Sequence, residues 1–190
     1  MKQTELVIVG GGILGAGVAQ AAIAGRFKVI LLESNSVGSA TSCNSSKLIH
    51  GGLRYLESAQ LGLVRDSLKE RKKLFDIANH LVKPINFYIP IYQKSKRSGW
   101  VITLGLFLYY VLSGFSKWGR FKIIPKKHWG KIKGIKKSGL KMILQYWDGQ
   151  TDDRKLCEEV AQSARSLGAD IIENAKCTSI IKKDEGYTVR

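Results

Sequence analysis

The stretch VIVGGGILGAG, residues 7–17, constrains the fold more than any other part of this chain. Its glycines fall as Gly10-x-Gly12-x-x-Gly15, directly behind the apolar run Leu6–Val9 and ahead of an alanine-rich segment, residues 14–25. The apolar run reads as a buried parallel strand and the alanine-rich segment as a helix that Gly25 stops. Lys28 to Leu32 reads as a second strand closing at Glu33, eighteen residues beyond Gly15. Together these form a βαβ unit with a right-handed crossover. In such a unit Gly10 allows the tight turn, Gly12 lets backbone approach a pyrophosphate, and Gly15 lets helix and strand pack closely. The helix N-terminus supplies free N–H groups and a positive dipole end for the phosphates, and Glu33 accepts from adenosine ribose hydroxyls. The motif therefore predicts a bound dinucleotide.

The glycine motif leaves FAD and NAD both open, and an acid at the ribose disfavours a 2′-phosphate. The next segment, TSCNSSKLIHGGLRYLE at residues 41–57, decides between them. It crowds Thr41, Ser42, Ser45, Ser46 and Lys47 behind the second strand, then His50, Arg54 and Tyr55 around two glycines. A loop of hydroxyls and backbone donors suits a long, buried cofactor whose pyrophosphate and ribityl chain run past it.

Further along, residues 58–79 carry an apolar stripe at helical spacing. INFYIPIY (85–92) alternates as a strand between Pro84 and Pro90. WVITLGLFLYYVLSGF (100–115) is the most apolar stretch, too short and too glycine-broken for a membrane span, and reads as an interfacial or buried helix. QYWDGQTDDRKL opens a new unit, where Thr151 or Asp152 caps a helix through Leu167 with Leu156, Val160, Ala164 and Leu167 on one face. The remainder reads as strand, strand, a turn at 184–186, and a strand left unpaired at the chain end. Between Ile77 and Trp147 there are fourteen Lys or Arg and no Asp or Glu, so most of the net charge of +16 belongs to one segment. That implies an anionic partner, a phosphorylated substrate, a lipid surface or nucleic acid, with a merely solvated basic face as the alternative. Aromatics interleave the lysines, but no nucleic-acid-binding motif accompanies them, and no nucleic acid is expected. Three widely spaced cysteines, Cys43, Cys157 and Cys177, form neither a disulfide framework nor a metal pattern. The first apolar run leads straight into glycines and is not a signal-peptide core.

The blocks VIVGGGILGAG, LLE, ATSCNSSKLIHGGLRYLE, VRDSLKER and YWDGQTDDRKL together resemble the FAD-dependent glycerol-3-phosphate dehydrogenases, with SSKLIHGGLRYL the specific part. The resemblance runs from about residue 5 to residue 190. It implies an α/β, Rossmann-like FAD-binding domain of the glutathione-reductase type, formed by residues 1–80 and 149–190. A basic cap or substrate segment, 81–148, is inserted between them. It implies oxidation of sn-glycerol 3-phosphate to dihydroxyacetone phosphate, with hydride passing from C2 to flavin N5 and electrons onward to quinone. The protein would then be cytoplasmic, with peripheral contact to an anionic membrane, and a homodimer is compatible.

Carried over by position, Gly10, Gly12 and Gly15 hold the pyrophosphate and Glu33 the ribose. Thr41, Ser42, Ser45, Ser46 and Lys47 line the flavin, and Cys177, on the returning strand, offers its backbone to the adenine. His50 faces the substrate as base or orienting group, since a histidine near neutral pH suits removal of a carbinol proton. Arg54 matches the substrate phosphate by bidentate hydrogen bonds, beside Tyr55. Without the resemblance, His50 reads as a structural histidine bonded to a loop carbonyl, and Arg54 as the partner of Glu57. Helix capping accounts for Asp152-Asp153-Arg154. Two departures stand out: Leu14 occupies a position where many members carry Asn, and the later cap strands, further basic substrate residues and last flavin-binding segment are missing. The chain is thus expected to be an incomplete N-terminal portion. The rival reading is a catalytically incomplete remnant that binds only a membrane surface or a partner chain.

Overall fold

The computed structural model describes residues 2–190. The chain divides into two compact units: residues up to 47 with 152–190, and residues 48–151. The resemblance implied borders at 80/81 and 148/149. Residues 48–80 instead join the second unit, because their helix packs on that unit's apolar core.

In unit 1, β1 (Leu6–Val9), β2 (Val29–Leu32) and β7 (Asp170–Ile172) form a parallel sheet with β2 in the middle. Two helices, α1 (Ile13–Ala24) and α4 (Asp153–Ser166), pack together. Small residues make this close packing possible: Ala16, Ala19, Ala161 and Ala164 are all fully buried, with Leu31 and Cys157 between them. The buried face of α4 is Asp153, Cys157, Ala161 and Ala164, turned from the expected leucine face. Leu167 is half exposed and Leu156 and Val160 are partly buried; small residues win the inner face because α1 lies against it. A hairpin, β8 (Ile180–Lys182) with β9 (Tyr187–Val189), ends the unit. The last strand is therefore paired, with the Lys183 N–H donating to the Gly186 carbonyl across the expected turn.

Unit 2 is built on one long strand, β6 (Leu140–Gln150). Antiparallel β4 (Lys83–Tyr92) lies along one side, while β3 (Leu48–Ile49) and β5 (Phe121–Ile123) share the other. Pro84 and Pro90 are tolerated in β4 because it is an edge strand, where a missing N–H breaks no ladder. Helices α2 (Leu61–Ile77) and α3 (Gly99–Leu112) pack together over a core of Val64, Leu68 and Tyr109. Among the described residues no helix is long and apolar enough to cross a membrane. Helix α3 buries Leu106 and Tyr109 on one side and exposes Trp100, Leu104, Phe107 and Val111 on the other.

The end of α1 departs from expectation in an instructive way. Gly25 is the C-cap with an ordinary φ of −75°. The left-handed residue is Arg26, at φ 70°. Its N–H donates to the Ile23 carbonyl and that of Phe27 to Ala22, the paired bonds of a Schellman turn. Arginine there carries a Cβ penalty that glycine avoids, partly offset by the greater freedom glycine has when unfolded. Arg26→Gly is expected to stabilise the protein by about 0.5–1 kcal/mol, raising Tm by a few degrees in a thermal melt.

Candidate functional site

In unit 1 the glycine motif forms a cradle that excludes a side chain by lack of space at Gly15 and by backbone conformation at Gly10. A Cβ on Gly15 would lie 1.9 Å from the Gly10 carbonyl oxygen, which holds α1 against the end of β1. Gly10 itself sits at φ 104°. A Cβ on Gly12 would approach the Ser42 Oγ at 3.1 Å. The first turn of α1 carries no acid of its own, so the positive end of the helix is open to an anion. Ser42 reaches back from the loop to accept from the Ile13 N–H at 2.9 Å. That is the kind of contact a pyrophosphate oxygen makes at a helix N-terminus. Leu14 points to solvent, so its departure from asparagine removes nothing from the backbone cradle. These features fit a dinucleotide.

Glu33 sits at the end of β2 as expected. Its carboxylate accepts from the backbone N–H of Gly11 at 2.6 Å and of Asn35 at 2.8 Å, and from the Ser34 hydroxyl at 3.1 Å. Partial burial opposes ionisation, but those hydrogen bonds win and hold the carboxyl below its ordinary range. Glu33 is therefore a charged acceptor in place at the tip of the strand.

The loop behind β2 is tied down by a residue that the sequence reading set aside. Asp152 caps α4, accepting from the Lys155 N–H at 3.1 Å. Asp153 does something different. One of its oxygens accepts from the Ser45 N–H at 3.1 Å and the Ser45 hydroxyl at 2.8 Å, and the other from the Lys47 ammonium at 2.6 Å. The Lys47 hydrogen bond, with the Ser45 bonds adding to it, holds the Asp153 carboxyl far below the usual carboxylate range. Ser45 and Lys47 thus face Asp153, while Thr41 and Ser46 are exposed and their hydroxyls make no hydrogen bond among the described residues. Cys177 does not lie on a strand: β7 ends at Ile172 and β8 begins at Ile180. The Ala175 N–H donates to the Glu33 carbonyl at 2.8 Å, which leads this coil segment past the tip of β2.

In unit 2 the structure gathers His50, Arg54 and Tyr55 on the wall of a cavity of about 1050 Å³. His50 follows β3, and Arg54 and Tyr55 lie on a short 3-10 turn, Leu53–Ser58. Leu53 and Leu56 of that turn pack on the Val64, Leu68 and Tyr109 core, which turns Arg54 and Tyr55 outward. No hydrogen bond among the described residues fixes the His50 imidazole, so the loop-carbonyl alternative is not met. Arg54 does not pair with Glu57 either. Glu57 is engaged by both guanidinium nitrogens of Arg97, leaving Arg54 without an ion pair among the described residues.

Arg97, Tyr146 and Asp148 also line this cavity, and sequence reasoning missed them. Burial, with Asp148 nearby, pushes the Tyr146 hydroxyl up to about 12, so it is a neutral donor at physiological pH. Asp148 is 4% exposed and forms an ion pair with Arg71, itself 2% exposed. Desolvation pushes the Asp148 carboxyl up, opposed by the adjacent guanidinium and by the Gly51 N–H, which donates to it at 3.0 Å. Arg71 also donates to the carbonyls of Trp147 at 3.0 Å and Trp118 at 3.1 Å and to the Tyr109 hydroxyl at 3.1 Å. The one signal in the sequence was that Asp148 ends the long stretch free of acids. Among the described residues no cluster of side chains could hold a metal ion.

The chain is similar in sequence and in fold to known proteins. The chain is 40% identical over 167 residues to a glycerol-3-phosphate dehydrogenase of Synechocystis sp., covering 87% of this chain and 30% of that protein. It is 37% identical over 181 residues to the aerobic glycerol-3-phosphate dehydrogenase of Staphylococcus haemolyticus, covering 95% and 32%. The chain therefore spans about a third of the length of these relatives. Among solved structures, the glycerol-3-phosphate dehydrogenase of Bacillus halodurans complexed with FAD superposes with a TM-score of 0.69 at 26% identity, covering 96% of this chain and 29% of that one. Residues 5–190 match the family described as FAD dependent oxidoreductase, with FAD as the cofactor that the cradle of unit 1 fits, and the chain belongs to that family.

Proposed function

We propose that this chain contributes the FAD cradle and one substrate wall of a glycerol-3-phosphate dehydrogenase. The observation that carries the reading is the cavity in unit 2, where an uncommitted guanidinium, Arg54, stands with His50 and Tyr55. A guanidinium free of acids is suited to a phosphate, by two parallel charge-assisted hydrogen bonds. His50, unbound by the fold, is suited to take the proton of a carbinol hydroxyl or to orient it. Tyr55 and the neutral Tyr146 hydroxyl flank the substrate. Bound in the unit 1 cradle, FAD would supply the acceptor for the C2 hydride, with quinone as the onward acceptor. In unit 1, Gly10, Gly12 and Gly15 hold the pyrophosphate and Glu33 the ribose. The 41–47 segment lines the flavin, and the backbone at Cys177 serves the adenine.

Glycerol 3-phosphate is expected to bleach the visible absorbance of the FAD-loaded protein. Arg54→Leu is expected to raise the half-saturating concentration by about 10- to 100-fold, the loss of a charged hydrogen-bonded contact, with FAD binding unchanged. A protein that takes up no FAD, or whose flavin stays oxidised, overturns the reading. Asp153→Ala frees Ser45 and Lys47 and is expected to weaken FAD binding in a fluorescence titration while leaving the α4 cap at Asp152 intact. Unchanged FAD affinity removes Asp153 from the cofactor site.

A second reading, contact with an anionic lipid surface, is favoured by α3. Its outward face presents Trp100, Leu104, Phe107 and Val111, followed by exposed Phe115, with Lys94, Lys96, Lys117 and Arg120 close by in the chain. Apolar insertion with basic flanks is the chemistry of interfacial helices. Co-sedimentation with acidic vesicles is expected to fall as salt rises and to be lost in Trp100→Ser/Phe107→Ser. Binding that ignores lipid charge rejects this contact.

A further inference from the structure

We infer that Asp148, backed by Arg71, is a positioning residue that holds the backbone between His50 and Arg54 in its working geometry. The inference rests on the substrate reading of the unit 2 cavity given above.

The starting point is the Gly51 amide. Gly51 is buried, so its N–H needs a partner within the protein. Asp148 Oδ1 is that partner, at 3.0 Å. The other side of Gly51 is closed by packing: a Cβ there would lie 2.1 Å from the Tyr109 hydroxyl and 2.5 Å from Leu68 Cδ2. The backbone is thus caught between an acid and a packed core. His50 is the very next residue back, and Gly52, at φ 75°, is the next forward. Any drift of the Gly51 peptide is delivered directly to His50.

A purely structural role leaves this arrangement unexplained. Arg71 has further acceptors in the carbonyls of Trp147 and Trp118, so the guanidinium is not dependent on Asp148 alone. A buried ion pair often gives no more stability than an apolar pair of similar volume. What an apolar pair cannot supply is an acceptor for Gly51. Asp148 lies on the cavity wall with His50, whereas Arg71 is not part of that wall and donates from the core to Oδ1, the same oxygen that accepts from the Gly51 N–H. Arg54 and Tyr55 depend less on this anchor, because Leu53 and Leu56 seat their turn on the core. The predicted consequence is a split: loss of the anchor disturbs His50 more than the phosphate contact.

The test compares two double variants of the FAD-loaded protein. Arg71→Leu/Asp148→Leu removes both charges and the acceptor. Arg71→Gln/Asp148→Asn removes both charges but keeps an oxygen for the Gly51 N–H. The leucine pair is expected to lower the rate of flavin reduction at saturating glycerol 3-phosphate on the order of 100-fold, as a misplaced group does, with little change in the half-saturating concentration. The Asn/Gln pair is expected to recover most of that rate. A leucine pair that reduces flavin at the parent rate overturns the inference, as does an Asn/Gln pair no better than the leucine pair. Amide hydrogen exchange of residues 48–56 gives a readout independent of substrate: slow in the parent and the Asn/Gln pair, faster in the leucine pair. Parent exchange as fast as that of an exposed loop overturns the inference even if no variant folds. Protected exchange in a parent whose flavin glycerol 3-phosphate does not reduce leaves the anchor standing and removes the substrate reading instead.

Discussion

Asp148 and Arg71 meet as a buried pair in unit 2, and several segments take their places from that contact. Arg71 belongs to α2 and Asp148 to β6. Their remaining hydrogen bonds reach Tyr109 of α3, the Trp118 carbonyl ahead of β5, and the Gly51 amide beyond β3. Two opposite charges removed from water tolerate little slack: losing Arg71 strands the buried Asp148 carboxylate without its counter-charge, at a cost of about 3–5 kcal/mol. The pair converts a set of sheet and helix contacts into one defined arrangement. The aromatic rings nearby, Phe75 against Trp118 and Trp118 against Trp147, close the same region to water.

Unit 1 is organised by a different constraint, the near contact of Gly15 with the Gly10 carbonyl. Here specificity comes from what is missing. Alanine and glycine along α1 and α4 let two helices and the sheet come together, and at the head of α1 the glycines leave backbone groups facing outward, with the Glu33 carboxylate at the tip of β2. A site made of backbone N–H groups at a helix end suits a ligand of fixed negative charge. The hydroxyl of Ser42 and the Ser45–Lys47–Asp153 set then organise the loop that follows, so the cradle and the loop are set by separate devices.

How much of this was legible in the sequence depended on how local the information was. The βαβ unit was readable because strand, glycines, helix and acid follow one another within thirty-odd residues and each has one meaning. His50, Arg54 and Tyr55 were readable as a group through the family resemblance, and the structure brings them to one cavity. The second sheet was not readable. Strand β6 begins in a run of lysines and glycines and crosses the YWDG sequence that looked like the opening of a new unit; only its pairing with β4 over nearly its whole length identifies it. Asp153 was hidden by its neighbour. Either of two adjacent aspartates can cap a helix, and nothing local says that one caps while the other reaches a loop more than a hundred residues earlier. Asp148 was missed because an acid beside a glycine reads as a turn, and its partner lies 77 residues away on another element.

The outward face of α3 has a consequence for how this chain behaves in solution. Trp100 is 73% exposed, Leu104 68% and Phe115 60%, a patch of the kind that brings protein molecules together. The net charge of +16 acts against that by repulsion between molecules. Repulsion reaches about 30 Å at 0.01 M ionic strength but only about 10 Å at 0.1 M. Attraction between apolar faces is not screened in this way. The colloidal state of the chain is therefore set by ionic strength: dilute buffer keeps molecules apart, and ordinary physiological salt lets the α3 faces find one another or some other apolar cover.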